Sequence, residues 1–375
     1  MKESKYVRLA STIYRVLRNS RTPMFLHKKS NHVFSLWQHI VVLLTVRQYG
    51  GKSYRMFVEW LVEAYYLRLF LQLSRIPHFT TLQKFAERIN STLLGKIISS
   101  FIILTGTRRI FAGIDSTGFK MTHASEYYTE RAKLRRRKYT KLSIGADLLQ
   151  QIICNIKIRR APIRHDNVDF KPIITRTSET LPLSVVIGDK GYDSEKNHVL
   201  VREGLKSYSI IPARYPHVPI WRTHGRYRKQ MKRGYLKLLY NQRNKDETIM
   251  SVIKRLFGEH VTSRLVRTQN RELSFRCMAY NMHRLTNLIV VLMVSTKPSF
   301  GSIYNNDIVY YKMKNNKMPM LMLKCKTCGE VFPGIYVPEG STNDLKASAT
   351  NADTSHTCSR GHTNEYVTLD YMDWS

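Results

Sequence analysis

Three acidic residues stand where the chain could hand them to a metal ion. Asp115 closes the apolar run IFAGID, and Asp189 closes the apolar run SVVIGD. Glu247 falls in YNQRNKDETIMSVIKRLFG, residues 240–258, which reads as a helix stopped by Gly258. At about 100° per residue, Tyr240, Arg243, Glu247 and Lys254 share an arc of about 60°. Ile249, Val252, Ile253 and Leu256 are expected on the opposite, core-facing side. Singly these signals are ordinary: a charged helix face is usually solvated, and an Asp at a strand end is often a turn-maker. Together they describe three carboxylates meeting at the carboxyl ends of a sheet, where α/β folds place their sites. Such a set can hold two divalent cations about 3.5–4 Å apart for in-line displacement at phosphorus. Oxygen ligands and a phosphate substrate favour Mg²⁺, with Mn²⁺ as the alternative. Arg243 and Lys254 would then grip phosphates beside the metal, the first as a fork and the second as a point charge.

A second constellation lies near the C-terminus. CKTCGEVF supplies Cys325 and Cys328, and HTCSRGHTNEY supplies Cys358 and His362. Four such ligands suit a tetrahedral structural Zn²⁺, and C-x2-C-Gly resembles a zinc-ribbon knuckle. The second half departs from that pattern, since three residues separate Cys358 from His362; His356 is an alternative ligand, and reduced thiols without metal are the bland reading. Cys154 and Cys277, the other two cysteines, fall in a β run and a helix and read as packing residues.

Elements able to position the acids can be read around them. IFAGID, KLSIGADLL, QIICNIKI and SVVIGD are β-rich. FKPIITRTSET and SEKNHVLVREG read as helices. Three strands in succession, then strands alternating with helices, give a mixed α/β sheet. Before Arg109 the chain reads as helical. Ser53 is placed to cap SYRMFVEWLVEAYYLRLFLQL, whose apolar residues wrap widely enough to predict a well-buried helix. Thr80 and Gln83 have capping-box spacing. Asp193 is expected to cap the helix after GYDS, and Asp147 stays outside the acidic set for want of a matching motif.

Charge points to the partner. The 375 residues carry 61 Lys+Arg against 27 Asp+Glu, a formal net charge of +34. The last 75 residues are nearly neutral, so the excess lies in the preceding 300. A body so cationic suits a polyanion, and nucleic acid is the first candidate. Two basic runs flank the α/β region: Arg131–Lys141, containing Arg135, Arg136 and Arg137, and Trp221–Lys237. Interleaved tyrosines suit them to a phosphate backbone. The longest greasy run, Leu288–Val294, is too short to span a bilayer and reads as buried helix. The first residues show no apolar secretory core, so a cytoplasmic, nucleoid-associated protein without membrane contact is expected.

The stretch YNQRNKDETIMSVIK resembles the Tyr-Arg-Glu-Lys signature of DDE-type insertion-sequence transposases, matching at Tyr240, Arg243, Glu247 and Lys254. DSTGF and GDKGYDS resemble that family's two aspartate segments, and RHDNVDF resembles an intermediate His-Asp segment, His165 and Asp166, for which a turn or hydrogen-bonding role is favoured over catalysis. The resemblance spans about residues 110–290. It implies an RNase H-like catalytic domain (residues 106–300) after a helical DNA-binding or support domain (1–105) and before a zinc-ribbon-like tail (301–375). It implies Asp115, Asp189 and Glu247 as the metal-binding catalytic triad, with Tyr240, Arg243 and Lys254 touching transposon-end DNA. The implied activity is metal-dependent cleavage at terminal inverted repeats followed by 3′-hydroxyl strand transfer, in a homodimer or larger assembly on DNA. The alternatives are an inactive DNA-binding descendant and an RNase H-like nuclease that does not join strands.

Overall fold

The computed structural model describes residues 4–27, 32–49, 53–121, 139–160, 165–263, 265–295, 320–328, 331–336, 354–357, 362–366 and 371–373. The chain divides into two units, residues 1–299 and 300–375.

In the first unit the β-rich segments form strands β1 (Ile110–Met121), β2 (Tyr139–Asp147), β3 (Ile152–Arg160), β4 (Leu183–Gly188) and β5 (Tyr208–Ile210). Their order across the sheet is β3-β2-β1-β4-β5, and the short β6 (His260–Val261) pairs with the end of β1. The first three strands run antiparallel, while β4 and β5 join β1 in parallel. This is the mixed sheet expected of an RNase H-like core. β5 and β6 are too short to carry a readable alternation.

Helices on both sides of the sequence supply its cover: α1 (Lys5–Asn19), α2 (Leu36–Tyr49), α3 (Tyr54–Glu63), α4 (Tyr65–Phe70), α5 (Phe79–Arg88) and α6 (Ser91–Ile103) before it, then α7 (Asn167–Thr180), α8 (Glu195–Val199), α9 (Arg226–Arg233), α10 (Lys237–Tyr240), α11 (Asn244–Phe257) and α12 (Val266–Ser295). One continuous core runs from Leu9 and Ile40 through Ile97 and Ile144 to Met278. Residues 1–105 therefore share their interior with the sheet. The side chain of Asn281 on α12 accepts from Ile153 N at 2.9 Å and donates to Ile153 O at 2.7 Å. Tyr280 donates to Gln151 O and Arg284 to Gln150 O, so α12 hooks the β2–β3 turn.

Several local expectations change. The helix predicted after Ser53 is capped there, with Ser53 Oγ accepting from Arg55 N, but it breaks at Ala64 into α3 and α4. It is buried on one side only, because Met56, Val62, Tyr65, Tyr66 and Leu69 face outward. Thr80 makes no capping box: α5 starts at Phe79, and the Thr80 hydroxyl bonds His78 Nδ1 instead. Asp193 caps no helix, since Ser194 holds that position and Arg228 takes the Asp193 carboxylate at two atoms, both 2.7 Å. Lys141, expected in a basic connection, is buried in β2 against Asp166 and Asp169.

The second unit is built of β7 (Met320–Lys324), β8 (Val331–Tyr336), β9 (Thr354–Thr357), β10 (Thr363–Tyr366) and β11 (Tyr371–Asp373). β7 and β8 pair antiparallel with β11 beside them, and β9 and β10 form a separate antiparallel pair.

Candidate active site

Strand register brings the two aspartates together. Ile114 pairs with Gly188 across the parallel β1–β4 contact, so Asp115 and Asp189 are the next residues on neighbouring strands. Parallel strands lie about 4.8 Å apart. The expectation of a strand end at Asp115 is corrected. β4 does stop before Asp189, but β1 continues to Met121 because its other edge keeps pairing with β2, as far as Lys120 opposite Tyr139. The Ser-Thr-Gly sequence is strand, not turn. Each aspartate is oriented by a backbone N–H: Asp115 Oδ1 accepts from Ser116 N at 2.8 Å, and Asp189 Oδ1 from Gly191 N at 2.7 Å. Asp189 is thus also the turn-maker that its position allowed.

Glu247 comes from α11. A 3₁₀ turn at Asn241–Arg243 joins α10 to α11, so the predicted single helix from Tyr240 has a tighter segment inside it. Its buried stripe is Asp246, Ile249, Met250 and Ile253, whereas Val252 is half-buried and Leu256 is exposed. The core-facing side is therefore turned toward the functional face by about half a residue step. That rotation sets Asp246, the neighbour of Glu247, against β1. At the far end Gly258, with φ +84°, ends the helix as expected, and its N–H donates to Lys254 O. Arg276 on α12 then fixes the exit, donating to Gly258 O at 2.8 Å and His260 O at 2.5 Å while paired with buried Glu272.

Asp115, Ser116, Thr117, Glu247, Lys254 and Arg255 line a cleft of about 470 Å³, with Met250, Ser251 and Glu259 completing the wall. Asp189 lies beside this lining through its strand neighbour. Electrostatics tie the group together. Burial pushes the Asp115 carboxyl up to about 6, and the charges of Asp189 and Glu247 add to it, while the Ser116 N–H and Arg243 pull it down. Arg243 Nη2 donates to Glu247 Oε1 at 2.6 Å. Tyr240 is half-buried, edge-on to Tyr235 at 5.3 Å, and its hydroxyl is raised by burial and by the charge of Asp189. Lys254 Nζ sits 5.7 Å from the centre of the Phe119 ring. All of the sequence-predicted residues in this region are therefore gathered around one set of acids. Arg135, Arg136 and Arg137 lie outside the described residues.

Sequence reasoning missed three neighbours. Arg255 and Glu259 add charge to the cleft wall. Asp246 is fully buried, and among the described residues neither of its oxygens has a hydrogen-bond partner. Burial and the charge of Asp115 raise its carboxyl well above the usual range. It sits against Gly113, two residues before Asp115: a Cβ on Gly113 would fall inside contact distance of the Asp246 carboxyl and of Leu148. The available signal was an acid on the apolar stripe of α11. Of the intermediate segment, Asp166 pairs with Lys141, and His165 Nε2 lies 3.3 Å from Arg214 Nη1.

Residues 107–282 match the transposase DDE domain family. The matched segment is a little under half of the 375-residue chain. It begins just before β1, ends within α12, and contains Asp115, Asp189 and Glu247. Among solved structures, seven chains match. One, from a piggyBac transposase synaptic complex with hairpin DNA, is 10% identical with a TM-score of 0.34, over 89% of this chain and 96% of that one. Another, from the simian T-cell lymphotropic virus intasome in complex with PP2A regulatory subunit B56 gamma, is 9% identical with a TM-score of 0.24, over 77% and 93%. No curated protein matches the chain. Among the described residues, no helix is long and apolar enough to cross a membrane.

The acids around this cleft fit a divalent cation. They offer oxygen donors only, and their mutual repulsion on Asp115 is what a bound cation relieves. In the second unit, ligand atoms of Cys325, Cys328 and His362 lie within 4.8 Å of one another. Cys325 and Cys328 sit between β7 and β8, and His362 between β9 and β10, so two hairpin tips face a common point. Cys358 lies outside the described residues. His356, the alternative ligand, packs against Tyr366 with ring centres 6.1 Å apart. This donor set suits a soft-ligand metal such as Zn²⁺.

Proposed function

We propose that this chain is a DNA transposase that cuts at the terminal inverted repeats of its element and joins the freed 3′-hydroxyl ends to target DNA. The observation that carries the reading is the placement of Asp115 and Asp189 on adjacent parallel strands, with Glu247 across the same cleft. Asp115, Asp189 and Glu247 would hold Mg²⁺ or Mn²⁺, which when bound supplies activation of the attacking oxygen and charge stabilisation at phosphorus. The chain's own groups set the geometry. Backbone N–H groups of Ser116 and Gly191 fix one oxygen of each aspartate and leave the other free to coordinate. Arg243 holds Glu247 and presents its remaining N–H groups to a phosphate. Lys254, anchored over Phe119, offers a second cation on the cleft wall, and Tyr240 brings a phenol beside Asp189. Arg135, Arg136, Arg137 and the run Trp221–Lys237 extend the cationic track for the DNA backbone. The second unit is read as a structural zinc module held by Cys325, Cys328, Cys358 and His362. Pairing of two element ends requires at least a dimer on DNA.

The test is strand nicking and joining on duplexes that carry the inverted repeats flanking the reading frame, with Mg²⁺ or Mn²⁺. The parent protein is expected to nick at the repeat end and to join pre-cut 3′-hydroxyl ends to a plasmid, while Asp189→Asn binds the ends without cutting. Equal inertness of parent and variant would reject the enzymatic reading. Nicking without any joined product would reduce it to a nuclease.

A further inference from the structure

We propose that the outward face of α3 and α4 is the surface on which two copies of this chain meet. This rests on the two-copy assembly in the proposed function and not on its chemistry. The inner face is committed to the core through Phe57, Leu61 and Leu67, which are 0%, 0% and 2% exposed. The outer face carries Met56, Val62, Tyr65, Tyr66 and Leu69, between 45% and 63% exposed. Scattered apolar residues are normal on a surface, but five along two consecutive short helices make a patch of the kind that marks an interaction site.

Its charges identify the partner. Residues 54–70 hold two acids, Glu59 and Glu63, and two cations, Arg55 and Arg68, in a chain whose net charge is +34. Both acids are exposed, and among the described residues neither has an ion-pair partner. Arg68 is half-buried, and its Nε has no hydrogen-bond partner among the described residues. Arg55 lies over the Phe79 ring at 4.6 Å. DNA is a poor occupant, because phosphates would meet unneutralised carboxylates and aliphatic side chains. A second copy fits. Two strongly cationic molecules can approach only where the meeting surfaces are locally neutral, as residues 54–70 are. The five side chains offer roughly 500 Å² per copy, below the about 800 Å² per partner of a standard stable interface. The contact is therefore weak alone and strengthened when a polyanion neutralises both bodies. It also follows that free-protein association should tighten with salt, which screens the net repulsion, whereas DNA binding weakens with salt.

Sedimentation velocity of the full-length protein without DNA, from about 0.15 to about 0.6 M NaCl, tests this sign. The dimer fraction should rise with salt. The double variant Met56→Glu/Leu69→Glu should dimerise at least about tenfold more weakly, with unchanged circular dichroism and melting. Leu69→Cys with a bis-maleimide should give a covalent dimer, and this small change keeps the test valid should the double variant misfold; Val199→Cys, exposed elsewhere, should give none. A parent monomeric at every salt, a double variant that associates like the parent, or a Leu69→Cys link made within a single chain would overturn the proposal. A parent that nicks element ends yet stays monomeric at every salt would sink this interface and leave the transposase reading standing.

Discussion

Two acidic clusters in the same unit are handled in opposite ways. Beside β2 and β3, Asp166 and Asp169 meet Lys141 and Arg159, and Ser143 donates to Asp169 at 3.0 Å. Each acid there has a cation, and the cluster closes on itself. At the cleft, the charges of Asp189, Glu247 and Asp246 bear on Asp115 or on one another, and among the described residues Arg243 is the only cationic side chain hydrogen-bonded to one of the four. Burying carboxylates without compensation is costly. The contrast separates acids that build the fold from acids left in surplus, as the proposed divalent-cation site requires.

That contrast can be broken most severely by neutralising one acid from each cluster. Glu247→Gln should lower end-nicking by about 10³-fold or more while DNA binding persists, since the loss falls on the chemical step. Asp169→Asn should leave nicking per folded molecule unchanged but cost about 3 kcal/mol in urea unfolding, because Arg159 loses its partner and buried Lys141 keeps only Asp166. Next in size is the pH dependence of metal binding. With the Asp115 carboxyl pushed up to about 6, protons compete with the cation below that value. Mn²⁺ affinity measured by calorimetry should fall by up to about tenfold per pH unit below 6. Asp115→Asn should flatten that slope. In the metal-free protein the sign for stability is the reverse of that of a salt-bridged acid. A raised carboxyl favours the fold below its unfolded value near ~3.9, and this contribution is lost as pH climbs through about 6. Asp246 sharpens the comparison further. Asp246→Asn removes a buried, unpartnered acid and should raise unfolding free energy by about 1–2 kcal/mol at neutral pH in the same urea titration. The smallest effect is at the phosphate grips: Arg243→Ala and Lys254→Ala should each reduce the salt slope of end binding by about 1.

The strands around the acids were legible because their apolar runs are short and bounded by turn residues. The face shared by Tyr240, Arg243, Glu247 and Lys254 was legible because helical periodicity is insensitive to one tight turn at Asn241–Arg243. Other features depend on tertiary neighbours. Whether β1 stops at Asp115 is decided by β2, a strand folded from residues more than twenty positions later. Whether Lys141 meets solvent is decided by α7. Asp193 reads as a cap until Arg228, 35 residues on, takes its carboxylate. The burial of Asp246 was within reach, since it lies on the apolar stripe of α11, but an acid between charged residues reads as surface.

Gly113 has a consequence of scale. With only a hydrogen where other residues carry a side chain, it lets the Asp246 carboxyl, and with it α11, settle directly against β1. The gap between Glu247 and Asp115 is thus set by a side chain resting on bare strand. Adding a single carbon there would work as a shim, prising the two surfaces of the proposed metal site apart without touching any of its acids.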